Sequence, residues 1–324
     1  MKYSFDMVGL AQQLKPATRS PDGLPVEISN SIMEMKLLSP KEIWQARSVN
    51  QTWKRRIEGN SQLWKHLTIH DWKSEYAIQA LTYLCRLDAC KARSIDFTTR
   101  HWDFGVMRPD LGQFFWRILA PRNTGLNELH LNGQLLQGPD VVVFPELRRL
   151  DVVDAKDLSP KHFLQFFPML ESLTIRGIWA WYHYQQDWKW PGQGTCDSLK
   201  RLTLKPGPGF VKADRFNMRE LSLAAPNLES LEIHRYSLDR NDAGLHHLTG
   251  LKECRLVDCD TQTTRYVPQL PKSLQTLVFK LGRAPPHAND RVLPELPEQP
   301  FLPKLRRLKT NFPGLQRMSN RKSV

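Results

Sequence analysis

From residue 126 onward the apolar positions of this chain recur in one spacing, L-x-x-L-x-L. Eight copies are present: Leu126-Leu129-Leu131, Leu147-Leu150-Val152, Leu170-Leu173-Ile175, Leu199-Leu202-Leu204, Leu228-Leu231-Ile233, Leu251-Cys254-Leu256, Leu274-Leu277-Phe279 and Leu305-Leu308-Thr310. First leucines follow one another at intervals of 21, 23, 29, 29, 23, 23 and 31 residues. The alternation within each copy predicts a short strand with one buried face. An interval of roughly 20–29 residues suits one strand, a turn and a return segment, and the last interval needs an insertion. The expected fold class is therefore α/β. Each repeat gives one strand to a parallel inner sheet and a helix or loop to the outside, and it buries its leucines only against its neighbours.

Met218-Leu221-Leu223 imitates the pattern but begins ten residues before Leu228, too close for a further strand and return. Aligning Phe163 to Leu170 with Leu221 to Leu228 shows an apolar helix end, a proline and the next strand in both, as expected where proline stops a helix. Weaker strands are predicted at Leu67-Thr68-Ile69 and Ser94 to Phe97, with a helix from Tyr76 to Cys90 between them. Nearer the amino terminus the period changes to that of helices. Ile28, Ile32 and Met35 form one stripe, and Ile43, Ala46, Val49 or Asn50, and Trp53 form another. Pro25 suits a first helical turn, and Ser39-Pro40 before Glu42 reads as an N-cap with proline at the first helical position. Two helices are thus predicted to start near residues 25 and 40. A module of roughly forty residues is too small to bury both stripes on itself and calls for a partner.

The order Leu24-Pro25-Val26-Glu27-Ile28, Ile32, Leu38-Ser39-Pro40-Lys41-Glu42-Ile43, Arg47 to Trp53 and Leu63-Trp64 resembles the F-box, a helical module that docks on the Skp adaptor of cullin-RING ubiquitin ligases. The repeats that follow are similar to leucine-rich repeats. The resemblance implies a small all-α F-box followed by an irregular leucine-rich-repeat solenoid, as in the substrate-recognition subunits of SCF (Skp-cullin-F-box) ligases. It places Leu24, Pro25, Ile28, Leu38, Val49 and Trp53 at positions that touch the adaptor or hold the module's own helices together. Trp44 departs from the family, which has a smaller aliphatic residue there, and this bears on local packing. Standard repeats carry Asn or Cys three residues after the last leucine. Only Cys259 fits, while Gln134, Ala155, Ile178, Gly207, Tyr236, Gly282 and Pro313 do not, so irregular turns are expected. The implied division is a segment 1–22, an F-box at 23–66, a repeat domain at 67–312 and a basic tail at 313–324.

Composition narrows the function classes. The 324 residues are 40% hydrophobic, enough for a sizeable core. Met1 to Ser20 has no signal-like apolar run, and nowhere does an apolar stretch approach membrane-spanning length. A soluble intracellular protein, cytoplasmic or nuclear, is expected, with no membrane partner. Five cysteines without a C-x-x-C pair predict reduced thiols and neither disulfides nor a metal site. His66 and His70 would stand roughly 13 Å apart on a strand, too far to share a zinc ion. No H-E-x-x-H, G-x-S-x-G or G-x-x-x-x-G-K-[ST] occurs, and Gly192-Gln193-Gly194 lacks a third glycine. Neither catalytic residues nor a cofactor is expected.

The net charge of +13 suits acidic protein segments, nucleic acid or anionic membrane. Strand alternation turns Arg149, Arg176, Arg201, Lys205, His234, Arg255, Lys280, Arg307 and Lys309 to the open side, with Glu128, Asp151, Glu232 and Glu253 among them. Arg176, Arg201 and Lys205 are expected to form a column roughly 5 Å apart, within reach of one anion. Between the third and fourth repeats, Trp179 to Trp190 places four tryptophans in one loop, with Trp181 and Trp188 as candidate contacts. Such a loop either caps the repeats or binds a partner. Candidate substrate residues are accordingly Arg149, Arg176, Trp181, Trp188, Arg201, Lys205 and Arg255, and the expected substrate is an acidic or phosphorylated protein. Alternatives are an F-box scaffold acting outside ubiquitination, or a basic solenoid for RNA or DNA.

Overall fold

A computed structural model describes residues 39–69, 74–86, 92–98, 117, 120–133, 143–153, 166–178, 195–206, 215–216, 218–235, 237–238, 244–259, 270–281 and 302–310. The protein is α/β, its principal sheet is parallel throughout, and the chain falls into two compact units, 1–123 and 124–324.

In the first unit α1 (Pro40–Ala46) opens with a capping box. The Ser39 N–H donates to the Glu42 carboxylate at 2.7 Å, and the Glu42 N–H donates to Ser39 Oγ at 3.3 Å. This satisfies amides that a helix start otherwise leaves unpaired. The predicted stripe from Ile43 to Trp53 does not lie on one helix. Backbone at Asn50 is extended, and its side-chain oxygen accepts from the Trp53 N–H at 2.9 Å, so a second helix, α2 (Gln51–Gly59), starts there. Asparagine competes with the helix ladder and wins at caps, and Val49 in the intervening turn is 54% exposed. A 3-10 turn, Ser61–Trp64, closes the module: Trp64 is fully buried and its indole N–H donates to the Ile57 carbonyl at 3.0 Å. Beyond it, β1 (His66–Thr68), α3 (Ser74–Arg86) and β2 (Ser94–Phe97) match the predicted strand, helix and strand, and the two strands pair in parallel. A one-turn helix, α4 (Ala120–Arg122), ends the unit's described part.

The second unit holds β3 (Glu128–Asn132), β4 (Arg149–Val153), β5 (Ser172–Ile178), β6 (Arg201–Pro206), β8 (Ser230–His234), β10 (Glu253–Cys259), β11 (Thr276–Leu281) and β12 (Arg307–Thr310). These are the eight predicted strands, side by side in sequence order and all parallel. Two further short strands, β7 (Arg215–Phe216) and β9 (Ser237–Leu238), pair separately. The imitation copy at 218–223 is helical, in α5 (Met218–Ala224).

Register explains the repeat. Leu129, Leu150, Leu173, Leu202, Leu231, Cys254, Leu277 and Leu308 stand opposite one another across successive strands, and the next apolar positions do the same from Leu131 to Thr310. The first seven of each row are buried. A one-residue slip would turn a whole row to solvent, so burial itself specifies the pairing. The seven strands that follow β3 in this sheet are each preceded by the same turn. The N–H of Leu147, Leu170, Leu199, Leu228, Leu251, Leu274 and Leu305 donates to the carbonyl three residues earlier, at 3.0–3.3 Å. Phe144 and Phe167, at the first position of two consecutive turns, are fully buried and stack with centroids 6.1 Å apart.

Adjacent turns are tied by shared carbonyls. Arg148 O, for example, accepts from both Glu171 N and Ser172 N, and Lys200 O accepts from both Glu229 N and Ser230 N. In the first unit Lys65 O accepts from Arg93 N and Ser94 N in the same way, so β1 and β2 carry the local geometry of the repeats. Gly177, Arg235 and Asp258 each sit two residues past the last apolar position of their repeat, and all three have positive φ (72°, 58° and 54°). In β5 and β10 that left-handed residue makes a bulge, where the register shifts before pairing resumes at Ile178 and Cys259, and in β8 it directly follows the strand's last residue.

Candidate interaction face

The leucine rows line one face of the second unit's sheet, and the positions between them form the other. Along the middle of that open face run His130, Asp151, Thr174, Thr203, Glu232, Arg255, Val278 and Lys309, each level with the next. Beside them runs a second row of Glu128, Arg149, Ser172, Arg201, Ser230, Glu253, Thr276 and Arg307. Apart from Val278 the two rows are polar, and their charges are organised.

On β3 to β8 each acid of the face holds a cation, and Arg201 is exposed with no ion pair among the described residues. Arg149 Nη1 lies 3.0 Å from Glu128 Oε1. Asp151, only 6% exposed, accepts from Arg176 through Oδ2, with His130 Nδ1 3.4 Å from the same oxygen. Glu232 Oε1 lies 2.9 Å from Lys205 Nζ and 2.7 Å from His234 Nε2. Burial by itself would raise the Glu232 carboxyl, but the hydrogen bonds from Lys205 and His234 outweigh it and hold it below the ordinary glutamate range. This arrangement corrects the expected basic column. Arg176 does stand opposite Lys205, but Arg201 stands opposite Ser172 and Ser230. It lies four residues from Lys205 on its own strand, roughly 13 Å away. The neighbouring pair, moreover, is already engaged by Asp151 and Glu232.

Arg255, the remaining described candidate, is exposed on β10. Trp181 and Trp188 lie outside the described residues, as do Leu24, Pro25, Ile28 and Leu38. Of the adaptor candidates, Val49 is exposed in the turn between α1 and α2, and Trp53 is half-buried on α2.

Other features of the first unit escaped the sequence reading. Trp44, the departure from the F-box pattern, is buried edge-on against Trp64 (6.2 Å) and Tyr83 (5.9 Å). The Arg47 guanidinium lies 4.1 Å from the Trp44 ring centroid and 4.6 Å from that of Tyr83, with its Nε 3.1 Å from Glu58 Oε1. One cation thus ties α1, α2 and α3 together. Nothing in the spacing of α1 and α2 points to α3 as the element that receives Trp44. A ladder at the strand starts was also missed, although its signal is legible. The residue after each first leucine reads Asn127, Arg148, Glu171, Lys200, Glu229, Lys252, Gln275 and Arg306. Its alternating signs close as Arg148–Glu171 (2.8 Å) and Lys252–Glu229 (2.7 Å).

No described helix is long and apolar enough to cross a membrane. Compared with known proteins, the chain matches no family model and no curated protein.

Proposed function

We propose that this chain is a non-catalytic substrate-recognition subunit of an SCF-type ubiquitin ligase, with an F-box at its amino terminus and an irregular leucine-rich-repeat domain behind it. The observation that carries the reading is the pairing of two designs in one chain. A capped helical module closed by the buried Leu63-Trp64 pair comes first, and a leucine-patterned parallel sheet with a largely polar open face follows. In this reading Leu24, Pro25, Ile28, Leu38, Val49 and Trp53 meet the Skp adaptor, and the exposed Val49 supports it, since a side chain left uncovered in the free chain is available to a partner. The open face receives a protein substrate. Ubiquitin transfer would then be accelerated by proximity to the cullin-bound conjugating enzyme, without acid or base chemistry from this chain.

Affinity capture of the Skp adaptor by full-length chain and by the Leu24→Ala, Pro25→Ala double variant tests the proposal. Truncating anchors at the start of an interface should abolish capture. Wild-type capture by the double variant would remove the F-box assignment.

A further inference from the structure

The charge on the open face is unevenly matched. Across β3 to β8 every acid on the face, Glu128, Asp151 and Glu232, holds a cation, and Arg201 is the one exposed arginine or lysine of those strands' face without an ion pair among the described residues. On β10 to β12 the balance is different: Arg255, Lys280, Arg307 and Lys309 are all exposed, and among the described residues none forms an ion pair. The acids of these strands are Glu253, level with Arg307 across Thr276, and Asp258 at the end of β10.

Register fixes the layout. Arg255 is level with Lys309 across Val278, and Lys280 is level with Val257. Strand spacing therefore sets Arg255 and Lys309 roughly 10 Å apart, with Arg307 and Lys309 roughly 7 Å apart along one strand. Between these cations lie Val257 and Val278, both half-buried.

We propose that this carboxy-terminal part of the open face is the docking surface for an acidic peptide segment of a protein partner. The inference rests on the reading of the open face as a protein-binding surface, and it names the class of substrate. Exposed ion pairs within the chain would have discharged these side chains. Unmatched by the described acids, they raise the local positive potential and favour an anionic ligand. A peptide fits better than nucleic acid. Glu253 and Asp258 interrupt the basic field that an unbroken phosphodiester backbone would follow, and the two valines offer apolar contact between the charges. The described residues of these strands place no aromatic ring on the face for bases to stack upon. An acidic segment with apolar residues between its carboxylates satisfies both kinds of position.

The test uses full-length chain and a fluorescein-labelled peptide of alternating glutamate and leucine, read by fluorescence anisotropy. A glutamine-for-glutamate version and oligothymidylate serve as comparisons. The glutamate peptide should bind, with affinity falling as salt rises, and at least about tenfold more tightly than the glutamine version. The Arg255→Glu, Lys309→Glu variant should lose about tenfold or more while keeping the wild-type melting curve, and Glu253→Gln should bind a few-fold more tightly. Strengthening by Glu253→Gln is an outcome that misfolding does not produce. Equal binding of both peptides, indifference to the reversals in a folded variant, or tighter binding of oligothymidylate would each overturn the proposal. Adaptor capture by the Arg255→Glu, Lys309→Glu variant is measured alongside. Retained capture with failed peptide binding refutes only this inference, whereas failed capture by wild-type chain refutes the ligase reading.

Discussion

Asp151 and Glu232 decide the character of the middle of the face. Each is a carboxylate taken largely out of solvent, a costly arrangement unless a cation or hydrogen bonds compensate, and each recruits a cation from the next strand and a histidine. The folded-state carboxyl of Glu232 is lowered, so its ion pairs stabilise the fold above the ordinary glutamate value of about 4.3. That contribution is lost as pH falls through the depressed folded value. Glu232→Gln should therefore lower stability at neutral pH by about 0.5–1 kcal/mol, given the partial exposure of Lys205. The difference from wild type should vanish below the glutamate range, which urea unfolding at several pH values would measure. A constant difference at every pH would remove the charge from the explanation.

The strands of the second unit are held by rows rather than by individual repeats. Leu231 is fully buried, with Leu202 and Cys254 level with it on either side. Leu231→Ala should cost about 2–5 kcal/mol through lost contacts and the cavity left behind, seen as a reduced denaturation midpoint. An unchanged midpoint would take this leucine out of the core. Elements of the first unit rest more on local chemistry: Ser39 and Glu42 start α1, and Asn50 both ends the stripe and starts α2. The capping box was legible in Ser39-Pro40-Lys41-Glu42. The break at Asn50 was harder to read, because Ile43, Ala46, Val49 and Trp53 would also suit one longer helix. Only the extended backbone at Asn50 separates the two outcomes.

At the scale of the molecule, the described cysteines belong to the cores and not to any reactive centre. Cys85, Cys196, Cys254 and Cys259 are buried. Burial, with Cys259 adding a smaller effect, pushes the Cys254 thiol up to about 12. These four should stay unlabelled by iodoacetamide in native buffer at neutral pH and react only in denaturant, as peptide mass mapping would report. Modification of native Cys254 at the rate of a free thiol would contradict its place in the leucine row.

What the sequence by itself determined is the part governed by period and local propensity. The eight strands, the rejection of Met218 to Leu223 as a ninth, the parallel order and the face on which Arg149, Arg201 or Arg255 stands all follow from spacing. Only one alternation lets each repeat bury its leucines. Tertiary structure decided what depends on which residues become neighbours across strands. The rungs themselves follow from the leucine register, which sets Arg176 against Lys205 and Arg201 against Ser172, but which side chains then close ion pairs does not. Tertiary contact decided the pairing of Arg176 with Asp151 and of Lys205 with Glu232, and it left Arg255, Lys280, Arg307 and Lys309 without ion pairs among the described residues. The same holds for Trp44, whose partners Trp64 and Tyr83 come from distant segments. Charge counted along the chain gave an excess of cations. Its location depended on which of them the fold had neutralised, because a Coulomb interaction is set by distance in space and by burial, not by distance along the sequence.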